Sequence, residues 1–287
     1  MISKYGNIYN IMDGLVTYGP EGLRITDLLE ACFLSWAHGF QANPMRFPPV
    51  IRVEDLDRIG YFQSFPHLGV FLSGLRQESL GGAGWEGEKP ELVAAVSLAP
   101  SSYAMPYAAC YHVYLHFSGR VLDHSQVITT AAQCFRNEAH FEGLSRLFSF
   151  YLREIVCVGP VEAVREFLTR VKEELLGLAD DLRLALQVCP ATDPFYDRQA
   201  PAATLQRLFP VKEEFVYGDG LALASVNYHL GFFGERCDIR TADGQIAHSA
   251  CVGMGLDRWV QALLDRFKGN ATAVCDMLAH CRSRWRP

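Results

Sequence analysis

The chain has 287 residues, 49% of them hydrophobic and 20% charged, and its 26 Lys and Arg against 32 Asp and Glu give a formal net charge of −6. This composition supplies a large core and excludes intrinsic disorder, and the length corresponds to one large domain or two modest ones. The acidic balance disfavours a polyanionic partner, because affinity for nucleic acid comes mainly from cations that neutralise phosphates.

No secretion signal opens the sequence, and no apolar run approaches the length of a membrane-spanning helix, so we expect a cytoplasmic protein. The nine cysteines include no C-x-x-C pair. Reduced thiols are therefore expected, rather than a disulfide framework or a zinc knuckle. Any metal site has to be assembled from distant segments.

The first half of the chain predicts a helix over residues 24–37, followed by an extended, proline-bearing edge segment at 46–52. A glycine-rich loop is predicted at 81–91, and a buried strand at 92–100. Three further strands are predicted at 111–117, at 126–138 and at 145–159.

The second half begins with an amphipathic helix at 160–179, which carries a proline at its first turn and is expected to pack on the sheet. Strands follow at 211–217 and 221–230. Residues 249–269 predict a strand, a glycine turn and a helix. Together these elements predict an α+β fold, with a mixed, mainly antiparallel sheet flanked by helices.

Cations, carboxylates and an aromatic ring cluster on two of the predicted strands. Arg136 and Glu138 end one strand, while Arg146, Phe150 and Glu154 follow the next loop. On adjacent strands they would present positive charge and a ring face to a phosphate chain and a purine. The alternative is a pair of surface salt bridges on a hairpin.

The segment Gly253-Met254-Gly255-Leu256-Asp257-Arg258 opens the last predicted helix. An arginine at the first turn of a helix can reach a phosphate, and the helix N-terminus adds its own positive field. The pattern is not a dinucleotide fingerprint, because arginine replaces the last glycine and no βαβ unit surrounds it.

Taken in order, these segments resemble the three signature motifs of class II aminoacyl-tRNA synthetases over roughly residues 24–268, most closely the seryl branch. "RFPPVIRVEDL" resembles motif 1, "CFRNE…RLFSFYLRE" motif 2 and "GMGLDR" motif 3. The resemblance implies a class II catalytic core that forms an adenylate, with Arg136 and Arg258 as catalytic residues. By the same resemblance, Arg136 would bind the α-phosphate and the substrate carboxylate, and Glu138 the adenine amino group. Arg146 would bind the phosphates, Phe150 would stack on the adenine face, and Arg258 would bind the γ-phosphate.

The same resemblance brings Cys110, Glu154 and Cys251 to the floor of the active site. Two thiolates and a carboxylate suit a tetrahedral Zn²⁺ that keeps one position open. The archaeal-type seryl-tRNA synthetases and the amino acid:[carrier protein] ligases use such a zinc to hold the substrate amino group. Resemblance to the ligases is the closer one, through "PYAACYHVY", "ATDPF", "SVNYH" and "AHSACVGMGLDR". The remaining cysteines are expected to be inert.

Further residues fall where the ligases line the amino-acid pocket. Asp193 and Lys212 are substrate-binding candidates, and the alternatives are a turn-capping aspartate and a solvated lysine. Ser225 and Asn227 are also candidates, whereas His229 is expected to satisfy a hydrogen bond in the core.

The predicted magnesium site departs from the family pattern. The seryl-type enzymes place a magnesium-binding glutamate about six positions before the residue that matches Asn227, and here that position is Leu221. Asp219 is a possible substitute. Mg²⁺ is therefore expected as a cofactor with ATP, but its ligands are left open.

We expect residues 1–287 to form a single catalytic domain without a tRNA-binding domain, because few residues flank the motifs. Transfer of a small amino acid, glycine or alanine before serine, to the phosphopantetheine thiol of a carrier protein is then favoured over charging of tRNA. The alternatives are an enzyme with a tRNA or small-molecule acceptor and a non-catalytic paralogue. Motif 1 implies a homodimer. The tail 281–287 and the segment 194–210 are interpreted first as a solvated tail and a loop, and contacts for an acidic carrier are the alternative.

Overall fold

A computed structural model describes residues 7–79 and 93–284. The predicted loop at 81–91 and the last three residues of the basic tail lie outside the described residues. In the part that is described, no helix is both long and apolar enough to cross a membrane.

The strands are short at the periphery and long in the centre of the molecule. They are β1 (Tyr9–Met12), β2 (Leu15–Tyr18), β3 (Asn43–Pro44), β4 (Ile51–Arg52), β5 (Phe71–Leu72), β6 (Tyr103–Ala104), β7 (Val121–Leu122), β8 (Gln126–Phe135), β9 (Ser149–Gly159), β10 (Leu186–Pro190), β11 (Lys212–Tyr217), β12 (Leu221–Leu230), β13 (Arg240–Thr241) and β14 (His248–Gly255). The helices are α1 (Pro20–Gly39), α2 (Val53–Arg58), α3 (Tyr61–Ser64), α4 (Tyr111–His116), α5 (Val161–Asp181), α6 (Pro201–Leu208), α7 (Phe232–Cys237), α8 (Leu256–Arg266) and α9 (Ala271–Arg284).

The main sheet has seven strands in the order β10-β11-β12-β14-β9-β8-β3. Every neighbouring pair is antiparallel except β3 and β8, which are parallel. The predicted α+β fold with a mainly antiparallel sheet is confirmed. β14 lies in the middle of the sheet although it is the last strand in the sequence.

The two faces of the sheet carry separate buried clusters. On one face the long helices α1, α5, α8 and α9 cover the strands, and Trp36, Phe33 and Trp259 are completely buried there. On the other face the shorter elements α2, α3, α4 and α7 pack around Tyr114 and Phe233, whose rings stack with centroids 3.9 Å apart. Because both faces are covered, the central strands are apolar on both sides, as the buried run Ile155–Val158 in β9 illustrates.

Two predicted strands are wrong. Residues 111–117 form helix α4, because Tyr111 and Tyr114, three positions apart, both face the core, although the alternation of apolar and polar residues imitates a strand. Residues 93–100 contain a turn of 3-10 helix at Ala95–Ser97 and a single β-bridge from Leu98 to Leu75, and Val96 is 78% exposed, so this apolar segment is not a buried strand.

Other boundaries also differ from the prediction. In the segment 46–52 only Ile51 and Arg52 pair as a strand, since prolines 48 and 49 have no N–H to donate. The predicted glycine turn does not occur: Gly253 and Gly255 belong to β14, and α8 begins directly at Leu256. The hairpin β1–β2 and the helices α6, α7 and α9 were not predicted.

An ion pair joins helix α1 to the sheet. The guanidinium of Arg153 on β9 is 8% exposed and donates to Glu30 on α1 (Nε to Oε1, 2.8 Å) and to the Thr129 hydroxyl (2.7 Å). We expect Glu30→Ala to lower the free energy of unfolding by about 3 kcal/mol, because a buried cation loses its partner.

Denaturant titration measures this loss. Glu54→Ala is the matched control: Glu54 forms an ion pair with Arg52, but 66% of its side chain is exposed, so the change should be about 0.5 kcal/mol or less. Equal losses for the two variants would show that the Arg153 pair contributes no more than a surface contact.

Candidate active site

A cavity of about 290 Å³ opens on the face of the sheet opposite the long helices, and every residue predicted to bind zinc, ATP or the amino acid lines it. Strand alternation explains this arrangement, since side chains two positions apart share one face of a sheet. Ser225 and Asn227 on β12 lie opposite Gly253 and Cys251 on β14, and Gly253 in turn lies opposite Glu154 on β9. The cavity floor is therefore built from three adjacent strands.

Cys110, Glu154 and Cys251 meet at this floor. One ligand atom from each lies within 4.8 Å of the others, and all three residues are buried. Cys110 immediately precedes helix α4, so a segment outside the sheet completes the set. Among the described residues, this is the one group of three or more His, Cys, Asp or Glu side chains with ligand atoms close enough to hold a metal.

The electrostatics of the three side chains suit a cation. Glu154 accepts a hydrogen bond from the Ala109 N–H (3.0 Å) through Oε1, while its Oε2 is buried without a hydrogen-bond partner. A hydrogen bond with Cys251, burial and the charge of Glu154 raise the pKa of the Cys110 thiol. Two soft sulfur ligands and a carboxylate with an unsatisfied buried oxygen suit a divalent zinc ion, which would satisfy that oxygen and favour the thiolates.

Arg136 lines the cavity between two aromatic rings. Its guanidinium carbon lies 4.3 Å from the ring centroid of Tyr107 and 4.7 Å from that of Phe150, and its buried Nε has no hydrogen-bond partner. Two aromatic faces thus hold the cation without neutralising it. A positive charge enclosed in this way stabilises negative charge that develops on a bound phosphate.

Arg258 is fixed by backbone carbonyls instead of carboxylates. Its Nε donates to the carbonyl of Ser145 (2.9 Å) and its Nη1 to that of Ala222 (3.0 Å). The start of α8 is itself fixed, because Asp257 accepts hydrogen bonds from the Tyr18 hydroxyl (2.7 Å) and the Tyr151 N–H (2.8 Å). Arg258 therefore keeps its charge and a defined position.

The remaining predicted ATP contacts form an ion pair at the edge of the cavity. Arg146 Nη1 lies 3.1 Å from Glu138 Oε2, and the Arg146 side chain is 43% exposed. A salt bridge on the hairpin, the alternative to an ATP site, is thus present in the connection between β8 and β9, and both of its residues line the cavity.

Asp193 and Lys212 form an ion pair in which the lysine is buried and the aspartate is half-buried. Lys212 Nζ lies 2.5 Å from Asp193 Oδ1, and Lys212 is 9% exposed, so the interpretation as a solvated lysine is wrong. Burial alone would raise the pKa of Asp193, but the ammonium of Lys212 and a hydrogen bond from Gln206 outweigh it and hold that pKa below its ordinary value. The carboxylate is therefore ionised inside the cavity.

The three polar residues of β12 differ in their contacts. Asn227 Nδ2 approaches the Ser225 hydroxyl (3.2 Å) and the Cys251 sulfur (3.6 Å). His229 Nδ1 contacts the Tyr114 hydroxyl at 3.2 Å, in keeping with the predicted hydrogen bond in the core. Its Nε2 is 3.9 Å from the Cys251 sulfur, so the ring also borders the proposed metal ligands.

Comparison of the sequence with those of known proteins assigns the chain to a family. The chain is 34% identical over 241 residues to amino acid–[acyl-carrier-protein] ligase 1 of Bradyrhizobium diazoefficiens, a match that covers 76% of this chain and 70% of that protein. Ligase 2 of the same organism is 34% identical over 238 residues, covering 76% and 68%. The chain belongs to the amino acid–[acyl-carrier-protein] ligase family.

The solved structures agree on the fold of this family member. The seryl-tRNA synthetase of M. kandleri, solved in complex with A. aeolicus tRNASec, superposes with a TM-score of 0.77 at 20% identity. The match covers 89% of this chain and 54% of the synthetase, so this chain spans about half the length of that enzyme. The class II synthetase fold expected from the motifs is confirmed. No family model matches the sequence.

Several cavity residues of this ligase-family chain were not found from the sequence, and one prediction did not hold. Tyr107, Phe195, Gln206 and Glu214 line the cavity, and none was singled out from the sequence, although Tyr107 and Phe195 belong to the segments "PYAACYHVY" and "ATDPF" that resemble the ligases. Asp219, considered as a magnesium ligand in place of Leu221, lies in the exposed turn between β11 and β12 and does not line the cavity. Glu214, two positions after Lys212 on β11, is an acidic residue that does line the cavity.

His229 makes stability depend on pH. Burial lowers its pKa from 6.5 to about 4, so between these values the unfolded chain binds a proton that the folded chain does not. The free energy of unfolding of the metal-free protein should therefore fall as the pH falls, with His229 contributing roughly 2 kcal/mol of loss between pH 7 and pH 5.

Denaturant titration of the metal-free protein at the two pH values tests this, and His229→Gln should remove most of that contribution. The control is His124→Gln, in an exposed bend before β8, which should keep the wild-type dependence. Unchanged pH dependence in His229→Gln would contradict the assignment.

Proposed function

We propose that this chain uses ATP to activate a small amino acid as an aminoacyl adenylate and then transfers the aminoacyl group to the phosphopantetheine thiol of a carrier protein. One observation carries the proposal: a single cavity combines two positioned arginines with the Cys110, Glu154 and Cys251 set. Family membership supports the same reaction. Among the described residues no carboxylate forms an ion pair with either arginine, so both are available to phosphates.

In the first step, a carboxylate oxygen of the amino acid attacks the α-phosphorus of ATP. The bond from that phosphorus to the oxygen bridging to the β-phosphate breaks, and pyrophosphate leaves. Arg136 stabilises the charge that grows on the α-phosphate, and Arg258 holds the γ-phosphate. No protein nucleophile is required, because positioning and cationic stabilisation lower the barrier.

In the second step, the carrier thiol sulfur attacks the carbonyl carbon of the adenylate. The bond from this carbon to the phosphate oxygen breaks, AMP leaves with the electron pair, and the thiol proton is released.

When zinc is bound by Cys110, Glu154 and Cys251, its open position supplies a Lewis-acid site for the substrate amino group. Asp193 and Lys212 would line the pocket around the amino acid, with Ser225 and Asn227 beside them.

The residues also bear on the size of the substrate and on the second metal. Glycine or alanine is favoured before serine, on the resemblance to the ligases and the proposed zinc site for the substrate amino group. For Mg²⁺ we propose Glu214, since its carboxylate lines the same cavity as Arg258 and is 33% exposed. A carboxylate with access to water suits a magnesium ion that keeps several waters.

ATP–pyrophosphate exchange with a panel of amino acids tests the first step. Exchange is expected with glycine or alanine, and exchange with no amino acid would refute the proposal and favour a non-catalytic paralogue. Transfer of a labelled amino acid to a phosphopantetheinylated acyl carrier protein tests the second step, with the unmodified carrier as control. Charging of tRNA in place of the carrier would support the alternative acceptor, which the net charge of −6 disfavours.

We further propose that the protein is cytoplasmic. We also propose that it is a homodimer, on the resemblance of residues 46–56 to motif 1. Sedimentation velocity distinguishes a dimer from the 32.1 kDa chain alone. The segment 194–210 and the tail from residue 281 remain proposed contacts for the carrier.

A further inference from the structure

Helix α6 forms part of the cavity wall but is weakly anchored. Only Ala203 of its eight residues is fully buried, while Leu208 on its outer side is 70% exposed. Ala202, Leu205 and Gln206 face the cavity. Little apolar burial therefore fixes this helix, and its polar contacts decide how it sits against the cavity.

Gln206 makes a two-point contact with Asp193. Its Oε1 accepts from the Asp193 backbone N–H at 2.7 Å, and its Nε2 donates to Asp193 Oδ2 at 2.8 Å. Lys212 contacts the other carboxylate oxygen, Oδ1. Both oxygens of the carboxylate and the backbone of the same residue are thus satisfied by two side chains.

The segment that carries Asp193 has no regular structure of its own. Residues 191–200, between β10 and α6, form neither helix nor strand, so no backbone ladder fixes the position of Asp193. A primary amide can donate to a carboxylate and accept from an N–H at once, whereas a carboxylate at this position can only accept. The contact therefore needs an amide that is long enough to reach both atoms.

We infer that Gln206 is a positioning residue of the amino-acid pocket, which acts through Asp193 by fixing both its backbone and its carboxylate. This inference rests on the proposed function, in which Asp193 lines the pocket for the substrate amino acid. The hydrogen bonds of Gln206 within the described residues go to Asp193 and not to Arg136, Glu138 or Arg258, so we expect it to take no direct part in holding ATP. Loss of the contact should thus affect the amino acid and spare ATP.

The test measures steady-state ATP–pyrophosphate exchange for Gln206→Ala and Gln206→Glu, with KM determined separately for the amino acid and for ATP. Gln206→Ala should raise the amino-acid KM about tenfold, with kcat and the ATP KM within about twofold of wild type. Gln206→Glu should raise the amino-acid KM at least as much, because it places a second carboxylate against Asp193. Thermal unfolding of each variant reports whether the fold is retained.

Gln187→Ala is the matched control, since this glutamine lies on edge strand β10 with an exposed side chain and should leave both KM values unchanged. An unchanged amino-acid KM in Gln206→Ala, or an equal rise in both KM values, would overturn the inference while leaving the proposed function intact. Absence of exchange in the wild-type protein would instead overturn the proposed function, and the inference with it.

Discussion

Replacing Cys251 with serine is expected to leave the purified protein almost free of zinc and to raise the amino-acid KM in ATP–pyrophosphate exchange by more than about 100-fold. The alcohol is a poor ligand for Zn²⁺, so one of the three protein ligands is lost. The side chain changes little in volume, so the free energy of unfolding of the metal-free protein should change by about 1 kcal/mol or less. The effect is therefore on the site and not on the fold.

Metal analysis by mass spectrometry and exchange kinetics measure the two effects. Cys189→Ser is the matched control, because Cys189 lies on edge strand β10, away from the cavity lining, and should keep one zinc per chain. A wild-type protein without zinc would refute the metal assignment for all three ligands. Full zinc in Cys251→Ser would remove only this cysteine from the set.

Arg258→Ala is expected to lower kcat/KM for adenylate formation by roughly 10²- to 10³-fold, the scale of losing one positioned stabilising donor in an active site. Arg258→Ala should impair the use of ATP and leave amino-acid binding unchanged, since Arg258 lies on α8 and the proposed zinc ligands lie on other elements. Calorimetric titration with the amino acid should give wild-type affinity. Exchange kinetics measure the activity.

The same helix provides the control. Arg266, at the end of α8, donates to the carbonyl of Arg183 and is exposed, so Arg266→Ala should exchange at the wild-type rate. Comparable losses in the two variants would point to a general effect on the helix. An Arg258→Ala variant with normal exchange would exclude this arginine from the reaction.

The elements predicted correctly from the sequence are mainly long strands and helices, including those that carry motifs 2 and 3. Strands β8, β9, β12 and β14 and helix α5 have the period expected for their burial, and the residues that face the cavity follow from alternation along those strands. The zinc ligands could be grouped only through the resemblance, because Cys110 comes from outside the sheet. Long, regular segments were thus more predictable than the contacts between them.

The errors lie in short segments whose structure is set by tertiary contacts. The segment 111–117 alternates like a strand, but Tyr111 and Tyr114 are buried on the same side of a helix. Helix α6 is linked to the cavity by a pair of hydrogen bonds from Gln206, which no local pattern indicates. Asp219 is close in sequence to the cavity strands, yet it lies in a turn that leaves the sheet.

The position of β14 has a consequence for how the chain folds during synthesis. Until residue 255 has left the ribosome, the strands exist as two separate groups, with β9 at the edge of one and β12 at the edge of the other, and both edges have unpaired backbone groups. Insertion of β14 joins the groups and delivers Cys251, with Arg258 following on α8. The nascent chain therefore carries two aggregation-prone edges until β14 is inserted, and the catalytic cavity is completed only when they are closed.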